Sequence, residues 1–196
     1  MTIIRTLRKS LLGTALALAL AGCLGSNEPL GGKGENAMTY EEVMALLGPE
    51  GGGKITVNRP DPNSELGRYG FFETRKGKQT LAFRLFPTRG GIVVELPPGT
   101  FHNPIWLYGA ILPHPEGAAM YFDQLHLSEA SKGKDDPKLE PARQVLPLLK
   151  KVTTPGTVMD ISLFKPRDFE SVIAIYQALA AAGQEPMSIL PMGDSR

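Results

Sequence analysis

Between residues 69 and 127 apolar side chains recur at every second position in short runs, each run interrupted by glycine or proline. Period two with turn residues between the runs means strands, because alternate side chains of a strand leave on opposite faces. In residues 80–86, Leu81, Phe83 and Leu85 fall on one face, and Ala82 and Arg84 on the other. A strand over 69–74 reaches this run through Arg75-Lys76-Gly77-Lys78, and Thr88-Arg89-Gly90-Gly91 turns the chain into 92–96, which Pro97-Pro98-Gly99 ends. Further strands are expected over 105–112 and 120–127, joined by the loop Pro113-His114-Pro115-Glu116-Gly117. Together these predict an antiparallel meander with one face on a core.

The chain has a single cysteine, Cys23, among 196 residues. No disulfide within the chain can hold such a fold together, so a packed core has to do it. About 170 residues follow position 22, which is long enough for one. Lys plus Arg number 21 and Asp plus Glu 20, a net charge of +1. That balance argues against nucleic acid, which needs a clustered basic face, and no polybasic run adds membrane electrostatics.

Ahead of the cysteine, Arg5, Arg8 and Lys9 open an apolar run that closes on Leu20-Ala21-Gly22-Cys23. A cationic start, a short apolar stretch and small residues before a cut site make a secretory signal. The apolar stretch 11–24 has about 14 residues, against the roughly 20 that a membrane span needs. Leu20-Ala21-Gly22-Cys23 resembles the lipobox of bacterial lipoproteins. The resemblance implies cleavage between Gly22 and Cys23, a diacylglyceryl group (palmitate among its acyl chains) on the Cys23 thiol, and acylation of the new N-terminus. Burying about three acyl chains gives stable membrane attachment where one gives only weak, reversible binding. Leu24 rather than aspartate after Cys23 implies, by the same resemblance, release to the periplasmic face of the outer membrane. No cofactor beyond this covalent lipid is expected.

The organisation that follows is a signal peptide over 1–22, a lipidated flexible tether over 23–37 and a globular periplasmic domain over 38–196, with a subdomain break allowed near Asp136. The tether is read from its composition: GSNEPLGGKGEN is polar and glycine-rich and lacks the apolar surface to order itself. The first folded element is a helix over 38–48. Thr39 can cap it with Glu42 three residues on, Val43, Leu46 and Leu47 share a face, and Gly48-Pro49 stop it. Met38-Thr39-Tyr40-Glu41-Glu42-Val43, with Leu46-Leu47-Gly48-Pro49, resembles the first helix of SmpA/OmlA (BamE-type) lipoproteins and of β-lactamase-inhibitor-protein-like modules, over residues 38–97. That resemblance implies a helix ahead of an antiparallel sheet and a non-catalytic role. The sequence departs from it at Gly51-Gly52-Gly53 and the strand-like 54–57, which stand where a second helix belongs.

The C-terminal part reads differently. A helix over 139–151 carries Pro147, which should split or kink it. A strand over 157–164 precedes a helix that Asp168 can cap, with Phe169, Val172, Ile173, Tyr176, Leu179 and Ala180 on one face and Gly183 at its end. With a last strand over 187–190 this predicts a βαβ unit with a right-handed crossover. The fold class expected is therefore α+β: an N-terminal helix, a mainly antiparallel sheet of about six strands, and a C-terminal βαβ segment.

Chemistry is sparse. Gly48-Pro49-Glu50-Gly51-Gly52-Gly53-Lys54 has P-loop spacing, but Ile55 stands where the magnesium-binding Ser or Thr belongs, so it reads as a turn. No G-x-S-x-G, H-E-x-x-H or S-x-x-K motif occurs. His102, His114 and His126, with Asp123, could form a metal or hydrolytic site only if the fold brought them together. Glu95, Asp123 and Asp160 could act as acid and base in pairs, although carboxylates on strand edges are usually solvated. Phe101, Trp106 and Tyr108 concentrate aromatics and, with His114, mark a candidate binding surface. The reading these features favour is a lipid-anchored, non-enzymatic envelope module that binds a protein partner. The alternative is a periplasmic metal-binding protein or hydrolase using the three histidines with Asp123.

Overall fold

A computed structural model describes residues 23–47, 56–59, 61, 63–76, 79–100, 104–122, 124–158 and 161–190. It is an α+β fold built on one large, mostly antiparallel sheet. The strands are β1 (Cys23–Ser26), β2 (Thr56–Asn58), β3 (Phe72–Lys76), β4 (Gln79–Pro87), β5 (Ile92–Leu96), β6 (Trp106–His114), β7 (Gly117–Tyr121), β8 (Thr153–Val158), β9 (Ile161–Pro166) and β10 (Ser188–Leu190). The helices are α1 (Tyr40–Leu47), α2 (Glu65–Arg68), α3 (Gln124–Ser131), α4 (Glu140–Val152) and α5 (Phe169–Ala181).

Among the described residues the sheet has ten strands rather than about six, in the order β2-β3-β4-β5-β6-β1-β9-β8, with β7 also on β6 and β10 on β7. Nine-residue β6 is the hub. One side of it pairs with β5, from Ile92↔Ile111 to Leu96↔Leu107. Its other side is shared: β7 takes 110–114, and β1 takes the start through Gly25↔Leu107 and Ser26↔Trp106. β1 then joins β9 in parallel, Cys23↔Leu163 and Leu24↔Phe164.

The sheet is covered on both faces, not one. On the first face Leu24, Phe86, Val93, Tyr108, Ala110 and Leu112 pack with Leu127 of α3, Val145 and Leu149 of α4, and Val172, Ile173, Tyr176 and Leu179 of α5. Residues on both sides of Asp136 contribute to this cluster. On the second face Phe83, Leu85, Val94, Leu96, Leu107 and Ile111 pack with Val43 of α1. The alternation along β4 is as expected, Phe83 and Leu85 opposite Arg84 and Phe86, but the second set is buried as well.

Local signals held where they were strong. The Glu42 carboxylate accepts from the Thr39 backbone N–H at 2.7 Å, and Thr39 Oγ1 accepts from the Glu42 N–H at 3.3 Å, closing the capping box. Asp168 Oδ1 accepts from Ser171 N at 2.7 Å at the start of α5, and Gly183 follows its last turn with φ +91°.

Other expectations need correction. Residues 23–37 are not a tether: β1 is an interior strand, and Met38 N donates to Leu85 O at 2.8 Å at the far end of the segment. Helix α4 runs through Pro147, which lies on its exposed side. The strand expected over 157–164 is a hairpin, β8 and β9, whose ladder runs from Thr153↔Pro166 to Val158↔Ile161. That expected over 120–127 ends at Tyr121, and α3 begins at Gln124. Strand, helix and strand do follow one another as β9, α5 and β10. However, β10 pairs antiparallel with β7, and the pairings across the sheet make it run opposite to β9, so the two are not the parallel strands of a βαβ unit. The expected P-loop-like turn at 48–54 lies outside the described residues.

Candidate functional site

Among the described residues a densely connected polar group lies where the segment after Cys23 crosses the first face of the sheet. The turn at residues 88–91 sets a register in which Arg84 of β4 and Glu95 of β5 are cross-strand partners. Both side chains are fully buried, with Arg84 Nε donating to Glu95 Oε2 at 2.5 Å. The other guanidinium nitrogens serve the chain around them: Nη1 donates to Tyr69 O at 2.9 Å and Nη2 to Gly32 O at 2.9 Å. Glu95 Oε1 accepts from Gly31 N at 3.3 Å. Rings of Phe71, Phe86 and Trp106 surround the guanidinium carbon at 4.7, 5.1 and 5.6 Å.

Tyr108, on the same face of β6, holds the beginning of the segment. Its hydroxyl lies 2.8 Å from Ser26 Oγ, accepts from Leu30 N at 3.1 Å and reaches Glu28 O at 3.3 Å. Its backbone carbonyl accepts from the Tyr176 hydroxyl of α5 at 2.9 Å. Glycine lets the segment lie this close. At Gly34, with φ +86°, a Cβ would sit 2.7 Å from Tyr69 O and 2.9 Å from Arg84 Nη1.

Burial, opposed by the adjacent Arg84 charge, raises the Glu95 carboxyl above its ordinary range. Burial, and then the Glu95 charge, raises the Tyr108 phenol, which stays protonated and able to donate. Every polar group of this cluster is spent inside the protein. What it does chemically is cross-link residues 26–34 to the sheet.

A cavity of about 360 Å³ opens beside the cluster, lined by Leu30, Gly31, Gly32, Lys33, Glu35 and Asn36 of this segment and by Phe86 and Phe169. The two phenyl rings stack at 4.4 Å.

The sequence-based candidates fall elsewhere. Cys23 is the first residue of β1, and Gly22 lies outside the described residues. Of the expected binding surface, Tyr108 is buried (0 % exposed), and Trp106 is half-buried and stacked on Phe71 at 5.8 Å, so these two build the core and not a surface. His114 ends β6, its Nδ1 accepting from Glu116 N at 3.2 Å, and Phe101 lies outside the described residues. His126 is on α3, not on a strand; His102, Asp123 and Asp160 lie outside the described residues. Among the described residues no group of three His, Cys, Asp or Glu side chains could hold a metal ion. Glu95, read as a solvated strand carboxylate, is the opposite.

Sequence reasoning missed Arg84 and Ser26. The signal for the ion pair was present: a turn centred on residues 88–91 places position 84 opposite 95, with unlike charges in two otherwise apolar strands. Compared with known proteins, the chain matches no family model, no curated protein and no solved structure. Among the described residues no helix is long and apolar enough to cross a membrane.

Proposed function

We propose that this chain is a lipid-anchored lipoprotein of the bacterial cell envelope, attached through acylated Cys23, whose folded body is a non-catalytic module that binds or assembles envelope proteins. The observation that carries it is Leu20-Ala21-Gly22-Cys23 at the end of a cationic and then apolar leader. Leu24 directly after the cysteine favours the periplasmic face of the outer membrane. The buried Arg84–Glu95 cluster is consumed in holding the protein's own chain, which is consistent with a structural use of these charges in a binding module.

The test is the mass of the N-terminal peptide of the mature protein made in a Gram-negative host, beside a Cys23→Ser variant. Diacylglyceryl and N-acyl groups on Cys23, with the variant retaining its leader, are the expected outcome. A bare thiol at Cys23, or an uncut leader in the wild type, overturns the reading. Affinity capture from membranes with the two forms then identifies partners that depend on the anchor.

A further inference from the structure

The position of Cys23 in the sheet has a consequence for how the body meets the membrane. A lipoprotein tether ordinarily holds its domain away from the bilayer, but here the first residues after the anchor are structural. Leu24 is 0 % exposed in the core, and Ser26, also 0 % exposed, is bonded to Tyr108. Gly31 and Gly32 are tied to Glu95 and Arg84. Backbone pairing holds β1 on both sides, to β6 and to β9.

The register adds a direction. β7 pairs with β6 as far as Ala110↔Tyr121, and β1 pairs with it at Leu107 and Trp106, so β1 begins along β6 close to where β7 stops. The line of the sheet beyond the start of β1 is therefore the one that β7 occupies.

We propose that the lipid on Cys23 leaves the protein directly from this interior strand, without a spacer, so that the body rests against the phospholipid bilayer, and that residues 23–34 are a docked strap that fixes this distance. The proposal rests on the lipidation of Cys23. The strap is latched by the Arg84–Glu95 pair and by Tyr108. Undocked and fully extended, its twelve residues would reach about 40 Å; docked, they add nothing to the separation. The only tryptophan, Trp106, is the cross-strand partner of Ser26, three positions from Cys23 and thus about 10 Å from the anchor point along the strand.

That makes Trp106 a distance gauge. The lipidated full-length protein is reconstituted into vesicles of phosphatidylethanolamine and phosphatidylglycerol that carry dansyl-labelled headgroups, and energy transfer from Trp106 is read. A second protein carries about twelve glycine and serine residues between Cys23 and Leu24, a spacer of about 20 Å mean reach that leaves 24–34 intact, and about threefold weaker transfer is expected from it. Equal transfer from the two proteins overturns the proposal. Hydrogen exchange on the same wild-type sample should show the amides of 24–26 as protected as those of 107–110; arm amides that exchange at once while β6 stays protected also overturn it. The mass of the N-terminal peptide separates the two failures. A bare Cys23 thiol removes the anchor, and with it both the lipid reading and this proposal, whereas a lipidated Cys23 on an unprotected arm sinks only the docked strap.

Discussion

Arg84 and Glu95 stand directly opposite each other on adjacent strands, Nε to Oε2 2.5 Å apart, both shut off from water. Removing two charges from water costs several kcal/mol per ion, and attraction between them offsets this only when the remaining donors and acceptors are satisfied. Tyr69 O, Gly32 O and Gly31 N supply those partners. The pair is therefore inseparable from the 31–34 segment that it holds.

Removing one partner leaves the other charge buried and alone. Glu95→Ala or Arg84→Ala is expected to cost about 3–5 kcal/mol in urea unfolding of a Cys23→Ser protein made without residues 1–22. The double variant Arg84→Met/Glu95→Leu should lose clearly less than the sum of the two, because the charges go together. Single losses under about 1 kcal/mol, the range of an exposed pair, would show that water reaches the site.

Leu24 discriminates between a tether and a strand. As a fully buried core residue, its change to alanine should cost about 2–5 kcal/mol. A flexible tether predicts no change in the unfolding midpoint.

The two glycines Gly32 and Gly34 form a matched pair of tests. Both have positive φ, +51° and +86°, but a Cβ at Gly32 meets nothing within 4 Å while one at Gly34 meets Tyr69 O and Arg84 Nη1. Gly32→Ala should cost about 1 kcal/mol from backbone conformation, and Gly34→Ala measurably more, since it also pushes on the latch. Equal losses in thermal or chemical unfolding would place the 31–34 segment off the sheet.

Asp168 gives a pH dependence with a definite sign. Hydrogen bonds from Ser171 lower its carboxyl below the ordinary value of 3.8. The folded state thus holds the ionised form more strongly than the unfolded chain does, so this stabilisation is complete above about pH 4–5 and fades as pH falls through the lowered value. Asp168→Ala should remove about 1 kcal/mol at pH 7 and less at pH 3. A difference that stays constant between those pH values, followed by urea midpoints, contradicts the cap.

The parts that could be read from sequence share a physical character: they are local. Thr39 with Glu42 and Asp168 with Ser171 satisfy helix N–H groups within three residues. The β4–β5 hairpin follows from glycines between two alternating runs. Errors came where a non-local partner outvoted composition. Gln124 to Leu127 has apolar spacing that a strand could use, but it folds as the start of α3 over β1. Tyr108 carried the aromatic signal of a binding surface, and its hydroxyl is satisfied by Ser26 and Leu30, far away in sequence.

By itself the sequence determined the α+β class, the capped helices and the alternating strands, because each is written in neighbours a few residues apart. Only the tertiary structure decided that Cys23–Ser26 is an interior strand. Four residues of such composition cannot order themselves; they are held by backbone partners on β6 and β9 and by the Tyr108 hydroxyl on Ser26, groups that are far apart in the chain until the sheet forms.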